Sequence, residues 1–196
     1  MTAPSTPPST SLVRLGETMF RLRDYTPIPL IVLLLVVREP TVPMATCGTL
    51  LIVLGELFRI YAVSFIGGVS RTRSDSVGGK VVDSGPFAFV RNPLYIGNFA
   101  ITVGISLFSG KLWFVVITTL LFIFQYYCIV SYEEELLESR FGNDYLEYRQ
   151  RVPAWFPRRF PTLDGLEWPI SFSPALRSEK RTLTAIVAIL ILLMVL

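Results

Sequence analysis

Apolar residues are bunched into blocks along the chain rather than spread at amphipathic intervals. A bilayer core about 30 Å thick is crossed by about 20 helical residues, and shorter segments are tolerated when their flanks extend them. Two blocks, 42–66 and 112–132, reach that length, and three shorter ones need their flanks. The pattern therefore predicts an all-α integral membrane bundle of about five transmembrane helices, over residues 26–38, 42–66, 93–109, 112–132 and 180–196.

The segment before the first block has a different character. Residues 1–11 are rich in Pro, Ser and Thr and lack any basic residue, so we expect a disordered tail and no cleavable signal peptide. In the following stretch the apolar side chains fall near one helical face: Leu12, Leu15, Met19, Phe20 and Leu22. This predicts a helix lying on the membrane surface, with a solvated helix as the alternative, and residues 12–196 are expected to form one domain.

Composition and charge support a membrane location. The chain is 52% hydrophobic and 17% charged, with a mean hydropathy of +0.54. With the five predicted spans, the N-terminal segment and the two large loops carry 15 of the 18 Lys and Arg residues, whereas Arg38 and Lys111 fall on the other side and Arg59 within a span. The positive-inside rule therefore places the N-terminus and both large loops in the cytoplasm. The net charge of +3 requires no nucleic-acid partner.

The residue inventory excludes several kinds of chemistry. The chain has no histidine, which rules out histidine-ligated metal sites and a histidine general base. Its two cysteines, Cys47 and Cys128, fall inside apolar spans without metal-ligand spacing, so no metal site is expected. The sequence also lacks a glycine-rich phosphate loop of the Rossmann or P-loop kind.

Two charged residues lie inside the second span, where ionisable groups are costly. Glu56 and Arg59 are three residues apart, which allows them to pair on one helical face. Intramembrane charges are normally paired or functional. A structural ion pair and a role in lining a cavity are both open at this stage.

The third span is preceded by a polar helix start. Asn92 and Pro93 match an N-cap followed by proline at the first helical position. The helix would point its positive dipole end toward the cytoplasmic interface, beside Arg91. This combination predicts a site for a carboxylate.

The fourth span continues beyond the membrane. It can run as one helix from Leu112 to Phe141, ended by Gly142, with three consecutive acids where it leaves the apolar layer: Glu133, Glu134 and Glu135. Neighbours on a helix are about 100° apart, so at least one acid should point into the bundle and at least one toward water. An amphipathic surface helix and a Pro-rich interfacial stretch are expected next, the latter containing Trp155, Phe156 and Phe160.

The two polar regions together resemble a known family. "GPFAFVRNPLYIGNF", followed by "EEELLESRFGNDYLEYRQRVP", is similar to the isoprenylcysteine carboxyl methyltransferase family, which includes related phospholipid N-methyltransferases. The resemblance covers roughly residues 84–157. One departure is Asn92, which stands where the eukaryotic enzymes have histidine. An asparagine can still donate and accept hydrogen bonds at that position.

The resemblance implies a membrane methyltransferase that uses S-adenosylmethionine at a cytoplasmic pocket. Arg91 and Glu134 would be catalytic: Arg91 would orient a carboxylate acceptor, Glu134 would fix the polar ends of the site, and Glu133 or Glu134 would be the base for an amine acceptor. The residues implied for cofactor binding are Gly85, Pro86, Asn92, Pro93, Tyr95, Gly97, Glu133 and Tyr148. The acceptor would be lipophilic, either an isoprenylcysteine-like carboxylate or a lipid amine, and would enter from the bilayer.

Two other readings stay open. A membrane reductase of the sterol type would bind NADPH and would need basic residues for its phosphates, for which Arg71, Arg73 and Lys80 could serve. A non-catalytic membrane scaffold would use Glu56, Arg59 and the polar helix start only for stability. A scaffold would tolerate Glu134→Gln and Arg91→Ala with little loss beyond stability.

Overall fold

The computed structural model describes residues 11–66, 80–159 and 167–195, and within these ranges it is helical without any strand. The helices are α1 (Ser11–Leu22), α2 (Pro27–Val37), α3 (Val42–Phe65), α4 (Pro93–Leu107), α5 (Leu112–Phe141), α6 (Asn143–Arg151) and α7 (Ser173–Val195), with a 3₁₀ turn at Gly85–Ala88 before α4. The predicted all-α class is confirmed. Residues Arg71, Arg73 and Phe160 and the N-terminal ten residues, which carried predictions, lie outside the described ranges.

Length and composition single out two described helices, α3 and α5, that could cross a membrane. These two helices correspond to the apolar blocks 42–66 and 112–132, which are long enough in sequence to cross a bilayer. α2 and α4 are shorter apolar helices, and α7 begins at Ser173 and contains most of the predicted span from residue 180. Side chains on the outer face of α5 are exposed although apolar, including Leu120, Ile123 and Phe124, which is the arrangement that suits contact with lipid.

The apolar helices run in alternating directions. The turn between α2 and α3 lies against the turn between α4 and α5, where the Glu39 amide donates to the Ser109 carbonyl at 2.9 Å. The Arg38 guanidinium donates to the Leu193 carbonyl at 2.6 Å, which brings the end of α7 to the same side. The polar segments that flank the candidate site therefore lie at the opposite end of the bundle.

One apolar core joins five helices at the end that carries these turns. It contains side chains from α2, α3, the end of α4, α5 and α7: Leu34, Ile52, Ile101, Phe108, Phe114, Ile186 and Leu193. Such shared burial explains why short helices such as α2 are held in the bundle. A second small core beneath α6 contains Leu137, Tyr145, Tyr148 and Val152.

Glycines bring α3 and α4 into backbone contact. A Cβ on Gly55 would lie 2.8 Å from the Gly97 carbonyl oxygen, and one on Gly104 would lie 2.7 Å from the Gly48 carbonyl oxygen. Small residues at matched positions are typical of closely packed membrane helices. Gly97, which the resemblance implied for cofactor binding, therefore lies in the α3–α4 contact.

Helix α1 packs on α5 through a side that differs from the apolar face predicted to lie on the membrane. Val13 and Gly16 are buried, whereas Leu15 and Leu22 are exposed. Gly16 lies against the backbone of Cys128, leaving no room for a Cβ, and the Phe20 ring meets the Tyr132 ring at 5.7 Å. A close approach through a glycine leaves no hydrophobic signature in the sequence.

The ends of α4 and α5 follow the sequence predictions with one correction. Pro93 occupies the first turn of α4, and Gly142, at φ 55°, follows Phe141 at the end of α5. Asn92 takes the N-cap position, but its side chain makes no capping hydrogen bond. Its amide instead donates to the Ala154 carbonyl at 3.2 Å, because the segment after α6 passes beside it.

Candidate active site

An arginine–carboxylate pair joins the two halves of the motif region. The Arg91 Nε and Nη2 atoms donate to the Glu134 Oε1 at 3.0 and 2.6 Å. Both side chains are largely buried, with 10% and 13% of their surface exposed. The start of α4 and the extension of α5, which are far apart in sequence, are thereby fixed to each other.

Arg91 also contacts the end of α6 and the segment that follows it. Its Nη1 donates to the carbonyls of Val152, just after α6, and of Arg149, in the last turn of α6, at 2.7 and 3.1 Å, and its backbone amide donates to the Pro153 carbonyl at 2.9 Å. On the other side of the pair, the Arg149 Nε lies 3.6 Å from the Glu134 carboxylate. Three chain segments therefore meet at one guanidinium.

The consecutive acids of α5 point in different directions, as their helical spacing requires. Glu133 accepts a 2.6 Å hydrogen bond from the Tyr95 hydroxyl on α4. Glu134 faces Arg91, and together with Glu135 it lines an open polar groove of about 630 Å³ between α5 and α6. Glu138 and Arg149 form an ion pair at 3.3 Å in the same groove.

The charged pair predicted within α3 exists and has further partners. Arg59 lies 3.5 Å from the Glu56 carboxylate and donates to Glu179 of α7 at 2.6 Å. It also donates to the Asn98 side chain of α4, whose amide donates to the Tyr126 hydroxyl of α5 at 3.1 Å. We call this set Glu56, Arg59, Asn98, Tyr126 and Glu179 the buried polar cluster.

A cavity of about 300 Å³ opens next to this cluster. Its wall includes the polar side chains of Arg59, Asn98 and Glu179 from the cluster, and that of Arg23 beside it. The rings of Tyr95 and Tyr126 also line it, with their centroids 4.6 Å apart. Tyr95 therefore contributes to the cavity and also binds Glu133. The arrangement of charged groups and aromatic rings can hold a cation or a zwitterion.

The remaining residues implied by the resemblance surround this centre in packing positions. Gly85 has φ +57° and its amide donates to Glu167 at 2.9 Å. Pro86 and Pro93 are buried. The Tyr148 hydroxyl, which is fully buried, donates to the Phe87 carbonyl at 2.8 Å.

Several residues of the cavity wall carried no prediction. Asn98, Tyr126 and Glu179 come from three helices and meet only in the folded bundle. A polar side chain in an apolar helix was the one available signal for Asn98. Glu179 is 4% exposed, yet it lies among charged residues at the start of α7, where sequence alone suggests a solvated position.

Within the ranges that the structure describes, no group of three or more His, Cys, Asp or Glu side chains is placed to hold a metal ion. The two cysteines are free, and Cys128 is buried while Cys47 is exposed.

Comparison with known proteins agrees with the resemblance. The family model of the phospholipid methyltransferases matches residues 44–144, just over half of the chain. A nickel-cobalt-cadmium resistance protein of Alcaligenes xylosoxydans xylosoxydans is 29% identical over 115 residues, 59% of this chain and 50% of that protein.

Two enzymes named as methyltransferases are similar as well. The protein-S-isoprenylcysteine O-methyltransferase of Homo sapiens is 30% identical over 120 residues, 58% of this chain and 41% of the enzyme. The protein-S-isoprenylcysteine O-methyltransferase B of Arabidopsis thaliana is 30% identical over 119 residues, 56% of this chain and 57% of that enzyme. The chain spans about half the length of the curated relatives it matches.

Proposed function

Because the chain belongs to the phospholipid methyltransferase family, we propose that it is an integral membrane methyltransferase that uses S-adenosylmethionine to methylate a lipophilic acceptor. The observation that supports this most is the contact between the two motif halves, Arg91 with Glu134 and Tyr95 with Glu133. These contacts bring two segments that are distant in sequence together at one end of the bundle.

The groups at this junction suit the proposed cofactor. S-adenosylmethionine carries a sulfonium, an ammonium and a carboxylate, and it supplies an electrophilic methyl group. Glu133 and the Tyr95 ring would hold a cationic part, and the groove beside Glu134 and Arg149 offers both signs of charge to the amino-acid part. We propose that the packing and hydrogen bonds described above shape this pocket, through Gly85, Pro86, Asn92, Pro93, Gly97 and Tyr148.

Methyl transfer places modest demands on the protein. It must align the nucleophile with the methyl group and keep water away. We propose that Glu134, held by Arg91, fixes the polar end of the site. A carboxylate acceptor would need orientation by a cation, the role given to Arg91. An amine acceptor would need to lose a proton, for which Glu133 and Glu134 are candidate bases.

We propose that an apolar acceptor enters from the bilayer, with its polar head at the Arg91–Glu134 junction and its lipid chain lying along the bundle toward the opposite end. A narrow apolar crevice of about 70 Å³ lies in that direction between α2, α4 and α5, and its lining includes Leu30, Leu34, Ile105 and Phe114. Two relatives are named for methylating protein-linked isoprenylcysteine, and a lipid amine is an equally suitable acceptor here.

The membrane arrangement is part of the proposal. We propose five spans, in which α2, α4 and α7 cross with the help of their flanks, and a single domain over residues 12–196. The N-terminus and the Arg91–Glu134 pair would face the cytoplasm. The alternating directions of the helices and the low number of basic residues in the turns at Arg38 and Lys111 support this orientation.

The proposal is tested by calorimetric titration of the detergent-purified protein with S-adenosylmethionine and S-adenosylhomocysteine. Saturable binding of both is expected, and Glu134→Gln should weaken it about tenfold or more because a charge-assisted contact is lost. Glu147→Gln, which changes an exposed acid of α6, serves as the matched control. If the folded protein binds neither compound, the methyltransferase proposal is wrong, and NADPH would be titrated next.

A further inference from the structure

Helix α7 has an outward face that takes no part in the packing of the bundle. The helix turns Glu179, Ile186 and Leu193 inward, and all three side chains are buried. At about 100° per residue, Arg177 and Lys180 lie on the other side of the helix, and both are exposed. These two cations therefore point away from the helices on which α7 packs.

An open groove of about 660 Å³ runs along this outward face. Its wall carries Arg177 and Lys180 and the apolar side chains of Leu176, Leu183 and Val187. Val187 follows Lys180 by two helical turns, which places it about 10 Å further along the proposed span. The groove is therefore basic at the polar end of α7 and apolar beyond it.

The charges of this groove are not compensated by the part of the protein that the structure describes. There, neither Arg177 nor Lys180 makes an ion pair or a side-chain hydrogen bond. The acid between them in sequence, Glu179, points inward and accepts from Arg59 at 2.6 Å. Arg181, which is also exposed, adds a third positive charge next to Lys180. An anion attached to a hydrocarbon chain would satisfy both the basic and the apolar part of the groove.

We infer that this groove binds an anionic phospholipid of the bilayer, with the phosphate at Arg177 and Lys180 and an acyl chain along Leu183 and Val187. Guanidinium and ammonium groups are strong donors to phosphate, and basic residues next to a membrane span attract anionic headgroups. The groove lies on the side of α7 opposite the cavity that Glu179 lines, so this lipid is a structural ligand and not the methyl acceptor. The inference uses the proposed membrane arrangement only to assign the lipid to the cytoplasmic leaflet.

The test compares two lipids with the same chains and different headgroup charge, dioleoylphosphatidylglycerol and dioleoylphosphatidylcholine. Each is titrated into the full chain in dodecyl maltoside, and native mass spectrometry measures the fraction of protein that retains a lipid. We expect phosphatidylglycerol to bind about tenfold more tightly or better, because two or three cations act on its net negative charge. Equal retention of the two lipids would overturn the inference.

A pair of double variants separates the groove from the overall charge of the protein. Arg177→Gln with Lys180→Gln should weaken phosphatidylglycerol binding about tenfold and leave phosphatidylcholine binding within about twofold. Arg158→Gln with Arg159→Gln removes the same charge from exposed positions ahead of α7 and should leave both affinities within about twofold. All four positions are exposed, so both proteins should fold, which thermal unfolding without added lipid checks. Equal losses in the two variants would mean that net charge alone attracts the lipid, and the inference would be wrong.

Two further outcomes identify other occupants of the groove. Glycerol phosphate, which has the head but no chain, should displace phosphatidylglycerol only at concentrations about a hundredfold higher or more, because the buried hydrocarbon adds to the affinity of the lipid. If it competes as well as the lipid does, the groove is a phosphate site and the inference is overturned. A dimer that retains no lipid would show that the groove is an interface between copies of the chain, with the same consequence. None of these measurements needs S-adenosylhomocysteine, so the lipid site and the methyltransferase proposal can fail separately.

Discussion

At the scale of single residues, Arg91 is the point on which the candidate site depends. Its guanidinium contacts Glu134, one carbonyl in the last turn of α6 and one carbonyl just after that helix. We expect Arg91→Ala to cost about 3–5 kcal/mol of stability, because it leaves the Glu134 carboxylate buried without its main partner. Glu134→Gln keeps an acceptor oxygen and should cost less, so thermal unfolding in detergent should rank Arg91→Ala as the less stable variant. The reverse ranking would show that these contacts of Arg91 contribute less to stability than we expect.

The Tyr95 hydroxyl offers a more selective change. Tyr95→Phe removes the 2.6 Å hydrogen bond to Glu133 but keeps the ring against Tyr126. The stability should fall by about 1 kcal/mol, the net value of a typical hydrogen bond, while S-adenosylhomocysteine binding should weaken several-fold because Glu133 loses the hydrogen bond from the Tyr95 hydroxyl. Tyr127→Phe, at an exposed position on α5, is the control. If Tyr95→Phe binds S-adenosylhomocysteine as well as the unmodified protein does, Glu133 is not part of the cofactor site.

Residue identities in the motif region were predictable because they carry a local pattern, but their partners were not. Arg91 and Glu134 were both expected at the site, and the sequence suggested that each would meet a ligand. The structure directs them to each other. Which polar atoms satisfy one another in a buried site depends on the three-dimensional path of the chain, here the return of Val152 and Pro153 past Arg91, and no spacing rule encodes that path.

At the scale of elements, the contact between α3 and α4 is set by glycine. We expect Gly97→Ala to cost about 1–3 kcal/mol, because its Cβ would lie 2.8 Å from the Gly55 carbonyl and the helices would have to separate. Leu54→Ala, at an exposed position on α3, should change stability by less than about 0.5 kcal/mol. Thermal unfolding compares the two. A Gly97→Ala protein of normal stability that no longer binds S-adenosylhomocysteine would place Gly97 against the cofactor instead.

The helices themselves were predicted to different degrees for physical reasons. α5 was predicted from Leu112 to Phe141 because a long apolar run continues into an amphipathic extension and Gly142 then marks the end of the helix. α1 was predicted as a helix, but its buried face was not, since Val13 and Gly16 form a contact through small size rather than through hydrophobicity. The apolar part of α7 was predicted from its sequence, whereas its first residues are charged, and the burial of Glu179 among them depends on Arg59 of another helix.

At the scale of the whole molecule, the alternating helices and the asymmetric charge make a prediction about topology. Glu39 lies in the turn between α2 and α3 and has 74% of its side chain exposed, and Glu147 is exposed on α6 at the opposite end. Five spans with a cytoplasmic N-terminus put these two positions on opposite sides of the membrane. A membrane-impermeant maleimide therefore distinguishes them when each is changed to cysteine in a Cys47→Ser background.

In intact cells the reagent should label Glu39→Cys, and it should label Glu147→Cys only after the membrane is permeabilised. The same access to both positions would show that the helices between them do not cross in the proposed number, and an inverted pattern would place the Arg91–Glu134 pair outside the cytoplasm. The result matters for chemistry, because S-adenosylmethionine is a charged cytosolic compound that does not cross a bilayer unaided. A site open to the cytoplasm is thus the arrangement in which the proposed reaction can be supplied with its methyl donor.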